Sequence, residues 1–372
     1  MTNLRRGTTM TMALSGGDRP KGRVPRSIFR ASGLIAGVIL AASLVAASGG
    51  AASAAPELTD VTVYTELSFQ SPVQLSTAQK KGFFKQFGLN VTAKYYQSAS
   101  DVPPGMIGGS IVLAHGGLAN PLVVADQGFP VKVISMVADW SRSSQLIVQK
   151  DIANMSLSDL AGKTLVGPDI PVMKMFWLNW AAHNKIDPKS VRWLNAAPSD
   201  ALAAFVGKRA DMLLVWAPFT TNAIKAGGVM WQDGRVSYRT GSAGPAAVYL
   251  NWGVVFASAD WVKKYPRTVE AYLSGLYMAH EYIRCNREEV ASLVAAEARI
   301  DPTVGPSLMS LNTYQMGMGA EFMEEAQKYT NFFQQVGVLK RAHNFRDIAD
   351  SATLDKVIKM TKIPASWSTC PK

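Results

Sequence analysis

The fold is decided by two stretches, MSLSDLAGKTLVGPDIPVMKMFWLNWAAHNKIDPKSVRWLN at residues 155–195 and ALAAFVGKRADMLLVWAP at residues 201–218. Short apolar runs of strand length alternate here with longer segments whose apolar residues recur every three or four positions. Alternation of this kind predicts a parallel sheet covered by helices. The predicted strands are 163–167, 191–194 and 211–215, and the predicted helices begin at Asp169 and Ser199.

The predicted helix after the first of these strands begins beside a candidate ligand site. Asp169 has the side chain of an N-cap, and Pro171 is suited to the first helical position. Ligands of such sheets bind at the carboxyl ends of strands, where helix N-termini point. We therefore expect residues 167–173 to lie beside Trp216 at a ligand site. The apolar stripe of this helix consists of Met173, Phe176, Trp177 and Trp180, and the last three of these are predicted to be core.

Three motifs carry a resemblance to a known family. SLSDLAGKTLVGP (156–168), LNAAPSDALAAFVGKRADMLLVWAPF (194–219) and AQKKGFFKQFGLNVTAKYYQSASD (78–101) occur in the family's order. With them the chain resembles, over roughly residues 61–298, the substrate-binding proteins of ABC importers in the nitrate/sulfonate/taurine group. That group includes relatives that bind the thiamine pyrimidine precursor.

The resemblance implies an α/β fold of the two-lobed periplasmic binding protein kind, type II-like. Each lobe would be a β/α sheet flanked by helices, with hinge crossovers near residues 139–144 and 249–252 and a helical C-terminal region. The domains expected are a signal peptide at 1–55, the first lobe at 56–142, the second lobe at 143–251, and the return to the first lobe with the C-terminal helices at 252–372.

The charge of the chain does not indicate a nucleic-acid partner. The 372 residues carry a net charge of +11, but residues 1–55 hold seven Lys and Arg against one Asp, which leaves +5 for the remainder. A nucleic-acid interface needs Lys and Arg clustered on one face, and no dense basic run occurs after residue 55.

Residues 1–55 have the pattern of a secretory signal peptide. A basic leader precedes an apolar segment at 33–47 and small residues at 51–55 that resemble a cleavage site. Secretion to the periplasm is therefore expected. The alternative is an uncleaved membrane anchor, which the short apolar segment disfavours.

Five candidate ligand contacts stand in loops or at strand ends. Phe69 follows the first strand, and His115 and Gly116 follow a strand predicted at 110–114. The resemblance implies that the loop with His115 contacts ligand, although a tight turn with a surface His is the alternative. Trp216 ends a strand and Trp252 lies at the return crossover, where aromatic rings can stack on a flat ligand.

Three further candidates bear on the charge of the ligand. Asp169 and Pro171 stand where anion-binding relatives carry Gly-Ser or Gly-Thr, so a carboxylate replaces donors and one N–H is missing. This disfavours a bare inorganic oxyanion, unless Asp169 only caps its helix. Arg142, near the first crossover, favours an anionic ligand instead, because a guanidinium binds a carboxylate or sulfonate bidentately.

The function expected is that of an importer's solute-binding subunit. It would capture a small organic ligand (a sulfonate, an aromatic carboxylate or a pyrimidine-like molecule), as a monomer without cofactor, and deliver it to a membrane permease. No catalytic motif is visible, and no metal site is expected from the four His residues. The alternatives are a periplasmic ligand sensor or an enzyme on this fold, of the pyrimidine- or menaquinone-pathway type.

The two cysteines, Cys285 and Cys370, are candidates for a disulfide. An exported protein meets an oxidising compartment, where a lone pair of cysteines is typically bonded. Two free thiols are the alternative. Both cysteines lie in the C-terminal region, residues 260–372, which is predicted to be helical, with helices at 268–285, 287–298, 306–318, 321–336 and 351–359.

Overall fold

The computed structural model describes residues 55–66, 68–96 and 101–370, and within them the chain forms two sheets flanked by helices. The strands are β1 (Asp60–Glu66), β2 (Asn90–Tyr96), β3 (Leu113–Gly117), β4 (Val131–Asp139), β5 (Ser144–Val148), β6 (Thr164–Gly167), β7 (Arg192–Asn195), β8 (Met212–Trp216), β9 (Val229–Asp233), β10 (Val236–Ser237), β11 (Gly244–Pro245), β12 (Trp252–Ser258) and β13 (Thr313–Gly317). The helices are α1 (Val73–Lys80), α2 (Phe83–Gln86), α3 (Val102–Ile107), α4 (Ala119–Asp126), α5 (Pro171–His183), α6 (Pro198–Val206), α7 (Phe219–Lys225), α8 (Ala259–Lys264), α9 (Pro266–Cys285), α10 (Arg287–Glu297), α11 (Gly305–Ser310), α12 (Ala320–Gln335) and α13 (Ala352–Met360).

The first lobe is built on a six-stranded sheet in the order β13-β4-β12-β3-β1-β2. β1 pairs in parallel with β2 and β3, and its sequence DVTVYTE alternates between more and less buried positions as a strand with one core face does. β12 runs antiparallel to β3 and β4, because it returns from the second lobe and enters where those strands end. Trp252, the first residue of β12, accordingly lies opposite Asp139, the last residue of β4.

The second lobe is built on a seven-stranded sheet in the order β11-β10-β9-β5-β8-β6-β7. β6, β7 and β8 are parallel, which confirms the prediction for these three strands, whereas β5 runs antiparallel to β8 and to β9. The physical reason is that β5 starts at the crossover from the first lobe. Its first residue, Ser144, therefore lies opposite Trp216, the last residue of β8.

The two segments that connect the sheets are bonded to each other. The backbone N–H of Trp140 donates to the carbonyl of Asn251 at 2.8 Å, and the N–H of Asn251 donates to the Ser141 hydroxyl at 2.9 Å. The two segments pack closely at Gly253. A Cβ at this position would lie 2.3 Å from the Trp140 ring, so only glycine leaves room for the ring. These contacts join the outgoing and returning chains side by side between the lobes.

The core of the second lobe contains the predicted stripe of α5. Phe176, Trp177 and Trp180 are buried, which confirms the prediction that they are core residues. Trp180 stacks on Trp177, with ring centroids 5.2 Å apart, and on Trp231, at 6.1 Å. Aromatic burial of this kind contributes both area and preferred ring geometry, so it fixes α5 on the sheet.

Two local predictions need correction. β3 begins at Leu113 and includes residues 115–117, which the sequence analysis placed after the strand; these residues pair with β12, so they are part of the ladder. The helix predicted at 306–318 is the short α11 followed by β13, because residues 313–317 pair with β4 and form an edge strand of the first-lobe sheet. The predicted signal peptide lies outside the described residues apart from Ala55.

The C-terminal segment is joined to α9 by a disulfide between Cys285 and Cys370, which confirms the predicted pair. Trp367 packs edge-on against Phe83 and Tyr282, with ring centroids 5.9 and 5.4 Å away. Among the described residues, no helix combines the length and the apolar composition needed to span a membrane.

Candidate functional site

A cavity of about 170 Å³ lies between the two lobes, where the connecting segments meet the carboxyl ends of several strands. The residues that line it include Glu66 at the end of β1, Gly117 at the end of β3 and Trp216 at the end of β8. Strand ends are the usual ligand position in open α/β sheets. We therefore describe this cavity as the candidate site.

The first-lobe wall of the cavity is polar. Glu66 is partly buried there, and no hydrogen bond or ion pair from the described residues reaches its carboxylate. Burial raises the pKa of this carboxyl above its ordinary value. Asn120, at the start of α4, places its carboxamide beside the cavity and donates a long 3.4 Å bond to the Tyr96 hydroxyl.

The second-lobe wall is largely apolar. Trp216 lines it from the end of β8, and the first turn of α5 adds Ile170, Val172 and Met173. α5 begins with Pro171 at its first position, so this helix start lacks one backbone N–H. An aromatic ring faced by aliphatic side chains forms a surface suited to the body of an organic molecule.

The connecting segments supply the floor of the cavity, together with α12. Trp140 and Tyr329 both line it and are each only 2% exposed. Within the described part of the chain, neither the Trp140 indole N–H nor the Tyr329 hydroxyl has a hydrogen-bond partner. A buried polar group without a partner costs about 1–3 kcal/mol, so a ligand that bonds to these groups would recover that cost.

His115 lies away from the cavity lining, although the sequence analysis made it a candidate contact. It is 1% exposed on β3, and its Nε2 shares a 2.6 Å hydrogen bond with the Tyr272 hydroxyl inside the first lobe. Burial lowers the pKa of His115 to about 3. The ring therefore stays neutral in the core at ordinary pH.

Gly116 supports the cavity from behind. A Cβ at Gly116 would lie 2.4 Å from the Tyr96 hydroxyl and 2.5 Å from the Asn120 amide nitrogen. The Tyr96 hydroxyl donates to the His115 carbonyl at 2.8 Å, so it occupies the space that only glycine leaves open. The absence of a side chain at residue 116 therefore determines where Asn120 stands.

Phe69 and Trp252 are both core residues, each 3% exposed, and neither lines the cavity. Phe69 belongs to a cluster with Trp140 and Ala217, next to the connecting segments. Trp252 packs edge-on against Phe322, with ring centroids 5.5 Å apart. Both side chains thus lie one layer behind the surface that a ligand in this cavity would meet.

Arg142 is bound to its own lobe and does not line the cavity. Its Nε donates to Asp233 at 2.9 Å, and a terminal nitrogen donates to the Tyr238 hydroxyl at 3.0 Å. The Asp233 carboxylate, and to a smaller extent the Tyr238 hydroxyl, raise the pKa of Arg142. A guanidinium satisfied in this way has fewer donors left for a ligand.

Asp169 is exposed at the entrance to α5 and pairs with Lys174, at 2.9 Å. The prediction that Asp169 is the N-cap is wrong by one residue, because the N-cap is Ile170 and the first helical residue is Pro171. Pro171 stands where the sequence analysis expected it. Neither residue lines the cavity, whereas their neighbours Ile170 and Val172 do.

Of the predicted contacts, Trp216 alone lines the cavity, and the sequence analysis missed Glu66, Asn120 and Trp140. The sequence did contain an indication for Glu66, because this acidic residue is the last of a strand that alternates between buried and less buried positions. In the described ranges, no group of three or more His, Cys, Asp or Glu side chains is placed to hold a metal ion.

Comparisons with known proteins bear on the family and the fold of the chain. The family model described as NMT1/THI5 like matches residues 73–290. A comparison with curated protein sequences finds no match. Three of the similar solved structures, each 14% identical to this chain, illustrate the match. They are the periplasmic aliphatic sulphonate binding protein SsuA from Escherichia coli (TM-score 0.66, covering 78% of this chain and 92% of that chain), the periplasmic nitrate-binding protein NrtA from Synechocystis PCC 6803 (0.61, 86% and 92%) and the desulfurization enzyme DSZB (0.59, 82% and 100%).

These likenesses confirm the predicted fold class, a two-lobed α/β periplasmic binding protein fold with a helical C-terminal region. Two of the three similar structures are binding proteins and one is an enzyme. The fold therefore occurs in both kinds of protein, and function has to be inferred from the residues that line the cavity.

Proposed function

Because the chain belongs to the NMT1/THI5-like family, we propose that it is the solute-binding subunit of an ABC-type importer and binds a small organic ligand in the cavity between its lobes. Ligand binding would bring the lobes together by hinge closure about the two connecting segments. The closed, loaded protein would then deliver the ligand to a membrane permease.

One observation carries this proposal: two residues with buried, unpartnered polar atoms line the same cavity as the aromatic ring of Trp216. The Trp140 indole N–H and the Tyr329 hydroxyl are satisfied by no described residue, and Trp216 offers a ring to a flat or apolar body. A binding protein has to desolvate a ligand and replace its hydrogen bonds. These three side chains supply both requirements.

The lining favours an organic ligand over a bare inorganic anion. None of the described residues that line the cavity is Lys, Arg or His, while Glu66 brings a carboxylate. The start of α5 presents apolar side chains and a proline where an oxyanion would need N–H donors. Nitrate and bicarbonate should accordingly bind weakly.

We propose a periplasmic location and delivery to a permease on two grounds. The similar sulphonate- and nitrate-binding proteins are periplasmic, and the pattern of residues 1–55 is that of a signal peptide. A ligand sensor would use the same cavity but a different membrane partner.

Enzymatic function is the second candidate, because the desulfurization enzyme DSZB has a similar fold. In this chain both cysteines are joined in the disulfide, so neither is a free nucleophile. His115, which could serve as a base, is bonded to Tyr272 in the first-lobe core. These placements favour binding over catalysis.

A ligand screen tests the proposal. The mature protein is heated with sulfonates, aromatic carboxylates, pyrimidines, small amines, nitrate and bicarbonate, and each unfolding temperature is compared with that of the free protein. A ligand that binds only the folded state raises this temperature by mass action. We expect organic ligands to do so and to be recovered unchanged. Conversion of the ligand would indicate an enzyme, and no stabilisation by any class would contradict the proposal.

A further inference from the structure

Resting on the proposed function, we infer that the ligand is a small organic cation and that Glu66 binds its positive charge. The inference starts from the position of Glu66, the last residue of β1, at the carboxyl edge of the first-lobe sheet. Its carboxylate lines the cavity, and no donor or cation from the described residues satisfies it. Burying a carboxylate without a partner is costly, so the structure leaves this group available for a ligand.

The nearby cations of the protein are already engaged. Arg235 is bound to Asp139 and Glu325, and Arg142 is bound to Asp233. Neither guanidinium lines the cavity. The carboxyl of Glu66 therefore has no cationic partner within the described part of the chain, and a cationic ligand would be its first.

The groups around Glu66 are hydroxyls and amides. Tyr96 and Tyr249 lie close enough that, after burial, the charge of Glu66 contributes to raising their pKa values. Both phenols are neutral at ordinary pH and can only donate or accept hydrogen bonds. Asn120 adds a carboxamide, whose oxygen accepts from an N–H group. This set suits a positive charge carried on N–H groups.

The opposite wall suits the body of such a molecule. Trp216 can stack on a flat cationic group or cover an apolar one, since ring faces attract cations. The aliphatic residues Ile170 and Val172 exclude water beside it. We therefore expect an amine or amidine with a compact apolar or conjugated body, whose charge meets Glu66 and whose body meets Trp216.

Three probes of one shape and different charge test the inference: benzamidine (a cation), benzamide (neutral) and benzoate (an anion). Their binding to the full mature protein is measured by titration calorimetry. We expect benzamidine to bind about tenfold or more tightly than benzamide, and benzoate to bind most weakly, because a charge-assisted bond to a carboxylate is available to the cation alone.

Variants assign the preference to one residue. Glu66→Gln keeps the size of the side chain and should lower the affinity for benzamidine to that for benzamide. Glu66→Asp should keep a preference for the cation. The matched control is Glu324→Gln, which removes the same charge from an exposed pair with Lys328 on α12 and should change nothing. Because no described residue partners the Glu66 carboxyl, ligand-free Glu66→Gln should also unfold at the same or a higher temperature than wild type.

The inference is overturned if benzoate binds wild type as tightly as benzamidine, if benzamidine does not bind at millimolar concentration, or if Glu66→Gln retains the preference for the cation. These outcomes differ from failure of the proposed function. An anionic organic hit from the ligand screen, with unchanged affinity for Glu66→Gln, would retain the binding protein and remove only the cationic ligand.

Discussion

Arg235 of the second lobe holds Glu325 of the first lobe through both carboxylate oxygens, at 3.4 and 3.3 Å. The same guanidinium donates to Asp139 at 2.6 Å and lies 5.3 Å from the centre of the Trp252 ring. Arg235 thus connects the second lobe to a helix, a strand end and a core ring of the first lobe. A contact that exists between approached lobes stabilises that arrangement over a more open one.

Glu325→Gln should therefore shift the protein towards separated lobes. We expect the radius of gyration of the ligand-free protein, measured by small-angle scattering, to increase. The affinity for the best ligand of the screen should fall about fivefold, the equivalent of about 1 kcal/mol for a partly exposed ion pair. Glu324→Gln, one residue away and paired only with Lys328, is the control. Equal behaviour of the two variants would show that Arg235 does not hold the lobes together.

Gly253→Ala should destabilise the junction between the lobes. The new methyl would lie 2.3 Å from the Trp140 ring, and such overpacking typically costs about 1–3 kcal/mol. Gly117→Ala is a matched control, because Gly117 is the direct cross-strand neighbour of Gly253, yet its Cβ would meet only the Asn251 carboxamide oxygen at 3.7 Å. Urea unfolding should separate the two variants. Similar midpoints would contradict the close packing of residues 140 and 253.

The buried His115 should make stability depend on pH. Its pKa is about 3 in the folded protein against 6.5 for an exposed histidine, so below pH 6.5 the unfolded chain binds a proton that the folded chain does not. This contribution to the free energy of unfolding is complete above pH 6.5 and is lost progressively towards pH 3, by up to about 1.4 kcal/mol per pH unit. His115→Gln should flatten that slope.

Tyr272→Phe is the control for this pH dependence. It removes the hydrogen bond to His115 but keeps the ring buried, so it should lower stability while leaving the slope between pH 6.5 and 4 unchanged. Urea unfolding at a series of pH values measures both quantities. Part of the slope should survive in His115→Gln, because burial also lowers the pKa of His280, to about 4. A slope of unchanged size would show that His115 does not contribute to the pH dependence.

Loss of the disulfide should release the end of the chain. Replacing Cys285 and Cys370 by serine is expected to lower the free energy of unfolding by about 2–4 kcal/mol, since the bond closes a loop between residues 85 positions apart. Calorimetric unfolding of the oxidised protein and the double variant measures the difference. Two free thiols in non-reduced, denatured wild type would contradict the bond itself.

Trp216→Ala should weaken ligand binding by about 1–3 kcal/mol and leave the fold intact. Trp216 lines the cavity and is only partly buried, so its loss removes a ligand surface rather than a core contact. Arg142→Ala is the comparison, and it should leave affinity unchanged because this guanidinium is bound to Asp233 and Tyr238. Tight nitrate binding by wild type, unaffected by Trp216→Ala, would contradict the site.

The strands and helices of the second lobe could be predicted because their patterns are strong. In α5 the residues Phe176, Trp177 and Trp180 recur at helical spacing, and they are buried as that pattern predicts. The short strands β10 and β11, of two residues each, have no such pattern and form only by pairing with each other and, through β10, with β9. Local sequence could not reveal them.

The site was harder to predict, since a ligand cavity depends on which side chains meet from distant parts of the chain. His115 and Trp252 stand near strand ends, as a contact should, but the antiparallel return of β12 makes them part of the first-lobe interior. Glu66 ends an alternating strand, where an acidic residue is usually solvated. Its significance follows only from the absence of a cation among the described residues around it.

Trp140 and Trp216 both line the cavity, and this gives the protein an optical reporter. Indole emission depends on the polarity and mobility of its surroundings, so a ligand that covers the partly buried Trp216 ring or packs beside the buried Trp140 ring would change that emission. The stacked rings of Trp177, Trp180 and Trp231 are buried in the second lobe and supply a constant background. Occupancy can therefore be followed by intrinsic fluorescence without a label, and single Trp→Phe changes at 140 and 216 would assign the signal to each ring.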